Sequence, residues 1–348
     1  MTDFGGHSRR DFLTRCLTSA FALGAGASLR APAAETPAPS GKSRVVVARD
    51  PALRGSGANA DSQHVDSGRL GALLDRATQA FFDGGLHRTP APENRIAAWR
   101  RIAGPNDTVG LKVNTLGGRG ISTSVELVEA ICERLQQAGV PARNIVVWDR
   151  ITDELERAGF SISIGGDRVQ CYGTDRVDYE DDLSAWGSVG SRLSQILTRA
   201  STVLINLPVL KDHDGAGVTI ALKNMYGAIH NPNKYHPNGC DPYVADLNML
   251  PEIRSRMKLA ICDATTAMYE GGPGFKPEHS WKCNSLLVAQ DAVALDATGW
   301  QIIERKRAEM GLKSLEAEKR APRYLATAAD SEHRLGQCEP GRIAVVEV

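Results

Sequence analysis

None of the seven cysteines falls in a Cys-x-x-Cys pair, so neither a ferredoxin-type cluster motif nor a zinc ribbon is written into this chain. A Gly-x-Ser-x-Gly elbow and a His-Glu-x-x-His helix are also missing, which leaves the familiar serine hydrolases and zincins without support. An excess of either charge is lacking too. Four of the 41 basic and two of the 41 acidic residues lie in the first 34 positions, so the remainder carries two net negative charges. Such a balance points away from nucleic acid and from an anionic membrane surface. Past the amino-terminal region no apolar run approaches membrane-spanning length, and there is no internal repeat.

What is present begins with an address. Ser8-Arg9-Arg10-Asp11-Phe12-Leu13 stands just before an uncharged stretch, Cys16 to Leu29. Paired arginines, an aromatic and a leucine ahead of a modest apolar segment form a twin-arginine export signal. The segment is too short and too rich in Gly, Ala and Ser for a stable span. Ala31-Pro32-Ala33 and Pro32-Ala33-Ala34 offer small-residue cleavage sites. The expected organisation is a signal over residues 1–34, a linker over 35–42 and one α/β domain over 43–348. A periplasmic or otherwise exported location and the twin-arginine machinery as partner follow. Six cysteines remain after cleavage, enough for disulfides, although Cys132 and Cys262 lie in apolar surroundings typical of buried free thiols.

Short β-branched runs alternate with amphipathic stretches. Strands are expected at Ser43–Arg49, Thr108–Asn114, Asn144–Asp149, Thr202–Leu210, Leu259–Asp263, Ser285–Asp291 and Arg342–Val348. Helices are expected at Gly68–Phe82, Ser124–Ala138, Ser188–Arg199 and Ala292–Met310, with Gly217–Ile229 as a further candidate. Strands apolar on both faces and separated by helices predict an α/β fold, a parallel or mixed sheet covered on both sides.

In such a sheet ligands bind beyond the carboxyl ends of the strands. Polar residues gather there: Lys112 and Asn114, Asp149, Lys211 with His213, Asp263, and Asp291. Each aspartate taken singly reads equally well as a helix cap. Lys112 interrupts an otherwise apolar strand, so it must snorkel to solvent or find a buried partner. On a helix over Gly217–Ile229, Thr219, Lys223, Tyr226 or Gly227, and His230 would share one face. His213, His236 and Cys240 form a possible metal set, with separate hydrogen-bonding histidines as the alternative. Gly271-Gly272-Pro273-Gly274 lacks the spacing of a P-loop and reads as a turn placing Glu270 near the strand ends.

Taken together, Val109–Asn114, Pro208–His213, Thr219–Gly227, Asp263-Ala264 with Glu270–Gly274, and Asp291–Asp296 resemble, in order, the domain-of-unknown-function 362 family over about residues 105–300. Some relatives carry a cysteine-rich ferredoxin module, which this chain lacks. The resemblance implies a shared site of Lys112, His213, Lys223, Asn224, Asp263 and Asp291 and assigns no reaction; from their places at or near the strand ends, Asn114, Lys211 and Glu270 are expected as cofactor-binding neighbours. The expectation is an exported enzyme whose Lys/His/Asp pocket binds an anionic small molecule or a metal-containing cofactor, with redox chemistry favoured by the export route. The alternative is a periplasmic ligand or metal carrier without catalysis.

Overall fold

The computed structural model describes residues 41–54, 65–83 and 92–348. The export motif and its cleavage sites lie outside the described residues. Strands along the chain are β1 (Ser43–Arg49), β2 (Val109–Lys112), β3 (Ile145–Trp148), β4 (Gln170–Cys171), β5 (Ser184–Trp186), β6 (Val189–Ser191) and β7 (Val203–Asn206). They continue as β8 (Val209–His213), β9 (Gly217–Thr219), β10 (Met257–Met268), β11 (Ser280–Trp281), β12 (Ser285–Ala289) and β13 (Ile343–Glu347). One mixed sheet runs β13-β1-β12-β10-β7-β2-β3-β4, with β8 and β11 on β10 and β9 on β8. Its centre, β10-β7-β2-β3-β4, is parallel. The expected α/β fold is what forms.

Alternation along the strands supplies two cores. Val109, Leu111, Ile145, Val147, Val203, Ile205, Leu259 and Ile261 point to one face. There they meet helices Ser67–Asp83 and Val125–Gln137 through Leu70, Leu74, Leu127 and Ile131. Val146, Trp148, Leu204, Ala260 and Cys262 point to the other, where helices Ala221–Asn224, Tyr243–Met249 and Ala292–Glu309 pack. Lys112 and its register partner Asn206 belong by period two to this second face.

Several expected boundaries change for local reasons. Ser188–Arg199 is not a helix. Trp186 pairs with Val189 across a two-residue turn whose Gly187 has φ of 50°, a hairpin geometry that glycine adopts without strain. Only Gln195–Thr198 is helical. Thr202–Leu210 breaks into β7 and β8 around Leu207-Pro208, where proline has no N–H for the ladder. Gly217–Ile229 is not one helix either. Gly217–Thr219 pairs antiparallel with Lys211–His213, and Asp296 accepts the amides of Ala221 and Leu222 at 2.7 and 3.1 Å, so the helical turn starts there. The strand expected at Leu259–Asp263 is longer at both ends, with β10 running from Met257 to Met268. All six cysteines from Cys132 onward are free thiols, and only Cys338 is not buried.

Candidate functional site

Three lysines are taken out of solvent at the carboxyl edge of β2, β7 and β8. Lys112 is 1% exposed, Lys211 0% and Lys223 6%. Lys112 does not snorkel. Its Nζ donates to Asp149 Oδ1 at 2.7 Å, to the Val113 carbonyl at 2.7 Å and to Asn224 Oδ1 at 3.4 Å, using all three N–H bonds. Trp148 ends β3 beside Lys112 in register, which carries Asp149 to the same level. Asp149 Oδ2 also accepts the Thr115 amide and hydroxyl at 2.9 and 2.8 Å. Gly227 closes over this pair. A Cβ there would lie 2.6 Å from Lys112 Nζ and 2.7 Å from Asp149 Oδ1, so the close approach requires glycine.

Lys211 enters through a chain of amides. Its Nζ donates to Asn114 Oδ1 at 2.9 Å, and Asn114 Nδ2 donates to Asn224 Oδ1 at 3.0 Å. Asn224 Nδ2 then donates to Asn206 Oδ1 at 2.7 Å, and Asn206 Nδ2 to the Ala221 carbonyl at 2.7 Å. Every bond runs the same way, so each amide orientation is set by its neighbours. The Lys211 ammonium has two more N–H bonds than this chain uses. Burial pushes its pKa down to about 8, with Asp149 opposing the shift and Lys223 and Lys112 adding to it.

Lys223 sits on the short helix Ala221–Asn224. Its Nζ lies 3.1 Å from His236 Nε2 and 4.4 Å from the centre of the Tyr226 ring. Burial lowers its pKa to about 8 as well, partly opposed by Cys240. Among the described residues neither Lys211 nor Lys223 forms an ion pair with a carboxylate. The 3-10 turns Pro232–Tyr235 and Pro237–Cys240 fold the Asn/Pro-rich loop back. His236 thereby stacks against His213 at 5.7 Å between ring centres.

Hydrogen bonds fix what these two histidines can do. His236 Nδ1 faces the Pro232 carbonyl at 3.1 Å and so carries the proton, leaving Nε2 to accept from Lys223. His213 Nδ1 accepts the Gly215 amide at 3.0 Å, which puts the His213 proton on Nε2. Burial, with Lys223, His236, Lys211 and Arg320 nearby, drives the His213 pKa down to about 2. His213 is therefore a neutral N–H donor at ordinary pH.

The metal set expected from His213, His236 and Cys240 does not fit this arrangement. One ring nitrogen of His213 accepts and the other is protonated, while His236 Nε2 is engaged by Lys223 Nζ at 3.1 Å. The Cys240 thiol instead points to the His236 carbonyl at 3.9 Å. Among the described residues, the grouping of metal-type donors that does form is Asp212, Asp214 and Glu270, whose oxygens lie within 4.8 Å of one another. Arg320 already occupies it, reaching Glu270 Oε1 at 3.0 Å, Asp212 Oδ2 at 2.9 Å and Asp214 Oδ1 at 3.2 Å. Burial still raises the Asp212 pKa to about 6.

Of the expected site residues, Lys112, Asn114, Lys211, His213, Lys223, Asn224 and His236 come together. Asp263, Asp291, Glu270 and His230 do not. Asp263 has the parity of Leu259 and Ile261 and faces the other side of the sheet. There its carboxylate takes the Ser124 amide and hydroxyl at 2.8 and 2.6 Å and those of Thr265 at 2.9 and 2.7 Å. Asp291 follows β12, which runs antiparallel to β10, so the carboxyl end of β12 lies at the opposite edge. It caps helix Ala292–Glu309 through the Ala294 amide at 2.8 Å and also accepts from Ser43 and Gln337. Glu270 is held by Arg307 and Arg320, and His230 packs edge-on against Tyr179.

One member was overlooked, Asn206, and Asp149, named at a strand end with a helix cap as the equal alternative, is the carboxylate that pairs Lys112. The available signal was that Leu111-Lys112, Trp148-Asp149 and Ile205-Asn206 each end an apolar strand in a polar residue. The family model for the domain of unknown function DUF362 matches residues 109–301, a span that contains all of these residues. None of the curated proteins matches.

Proposed function

The chain belongs to the DUF362 family, and from the lysine cluster within the matched segment we propose that it is an exported enzyme acting on a small anionic molecule. The carrying observation is that, among the described residues, Lys211 and Lys223 are buried without a carboxylate ion pair, while Asp149 is already committed to Lys112. Withholding an ammonium ion from water costs several kcal/mol unless an opposite charge meets it. A ligand carboxylate or phosphate would supply that charge, accepting the N–H bonds Lys211 does not use. His213 Nε2–H would donate to the same ligand, and Lys112–Asp149 would hold Asn224 and Asn114 in place as positioning residues. Export is proposed from the Ser8–Leu13 motif.

Thermal unfolding of the purified protein in phosphate, oxalate and pyruvate against chloride at matched ionic strength tests the reading. Ligand at a hundred times its Kd stabilises by about 2.7 kcal/mol. An anion-specific rise that is lost in Lys211→Met is expected. Equal unfolding in all four salts would refute anion binding, and so would a rise that Lys211→Met leaves intact.

A further inference from the structure

We propose that Lys223 is a covalent site, whose amine condenses with the carbonyl carbon of a 2-oxo acid while Lys211 holds the acid's carboxylate. The inference rests on the anion reading and adds a reaction and a substrate class to it. Its basis is the company Lys223 keeps. A structural lysine buried this deeply meets a carboxylate, as Lys112 does. Lys223 meets instead the lone pair of a neutral imidazole at 3.1 Å and the face of Tyr226. A cation over an aromatic face gains less than withdrawing the ion from water costs. The setting shifts Lys223 toward the neutral amine, and the neutral amine is the nucleophile.

The surroundings suit the rest of the condensation. His236 engages one N–H of Lys223 and directs the nitrogen lone pair away from its own ring. Lys211 and His213 are two apart on β8, hence on the same side of the strand and roughly 7 Å apart along it. His213 stacks on the ring that holds Lys223. With the acid's carboxylate at Lys211 and its C2 at Lys223, the His213 Nε2–H donates to the carbonyl oxygen as charge develops on it. The Nζ–C2 bond forms and the C2–O bond breaks. The oxygen leaves as water, carrying both hydrogens of the neutral amine, with His236 Nε2 relaying them. No oxidant or reductant takes part.

Purified protein is incubated with pyruvate and cyanoborohydride, which reduces an imine to a stable secondary amine, and the modified lysine is located by peptide mapping. Mapping the wild type requires no variant to fold. Lys223 should label about a hundred times faster than exposed lysines such as Lys258, from its larger fraction of free amine. Excess phosphate should suppress that labelling, and acetaldehyde, which lacks the carboxylate, should label Lys223 more slowly than pyruvate. In Lys223→Met the adduct should vanish while Lys258 still reacts. Labelling of Lys223 no faster than of Lys258, in a protein that phosphate still stabilises, would overturn the covalent site and leave the anion site standing. Absence of both the labelling and the phosphate effect would overturn both.

Discussion

Asp149→Asn isolates the electrostatics of the cluster with almost no change in shape. Asp149 accepts from Lys112 Nζ and the Arg150 amide on one oxygen, both at 2.7 Å, and from the Thr115 amide and hydroxyl on the other. An asparagine must turn its NH2 toward one of these donor pairs and leaves the Lys112 ammonium without a counter-charge. Removing one partner of a buried ion pair costs about 3–5 kcal/mol, and that is the expected loss. Lys112→Met should cost less, about 1–3 kcal/mol, because the Asp149 carboxylate keeps three protein donors. The double variant Lys112→Met/Asp149→Asn should be more stable than Asp149→Asn alone, since no uncompensated ion remains. Equilibrium urea unfolding followed by tryptophan fluorescence measures all three, with Trp148 adjoining the pair. A loss below about 1 kcal/mol for Asp149→Asn would refute the reasoning, as would a Lys112→Met variant that is the less stable of the two.

Lys211 and Lys223, held near a pKa of about 8 in the folded chain against an ordinary 10.5, bind fewer protons when folded than unfolded over that window. Their penalty is therefore present below about pH 8 and disappears as pH rises toward 10.5, so stability of the wild type relative to Lys211→Met/Lys223→Met should climb between those values; a flat difference would contradict the burial argument. Asp291→Ala should cost about 1–2 kcal/mol as a lost helix cap and leave anion-dependent stabilisation unchanged. Loss of that stabilisation at preserved folding would return Asp291 to the site. Replacing Arg9 and Arg10 together by lysine should retain folded protein in the cytoplasm, and undiminished export on cell fractionation would dismiss the twin-arginine reading.

Period and punctuation were enough to read the sheet. The extents of β1, β2, β3 and β13 and of the long helix after Asp291 follow from apolar runs, flanking glycines and a capping aspartate, all of which act over a few residues. The same local signals marked Lys112 as anomalous and pointed to Lys223 and His213, while the family resemblance added Asn224. They misread Ser188–Arg199 and Gly217–Ile229 because the deciding contacts are remote. Asp246 takes the Ser188 amide at 2.7 Å, and Asp296 takes those of Ala221 and Leu222 from 75 and 74 residues away.

Which strand-end residues share a site depended on direction and parity, and neither is written at the strand end itself. β12 looks like its neighbours as a sequence, yet it runs antiparallel to β10 and delivers Asp291 to the far edge. Asp263 reaches the right edge but alternates onto the wrong face. Lys112 found its carboxylate in Asp149 because β2 and β3 lie parallel and in register, 37 residues apart in the chain. The sequence by itself determined that charged residues would crowd the ends of an α/β sheet. Only tertiary structure decided that, among the described residues, Lys112 meets a carboxylate and Lys211 and Lys223 do not, because pairing depends on which elements meet in space.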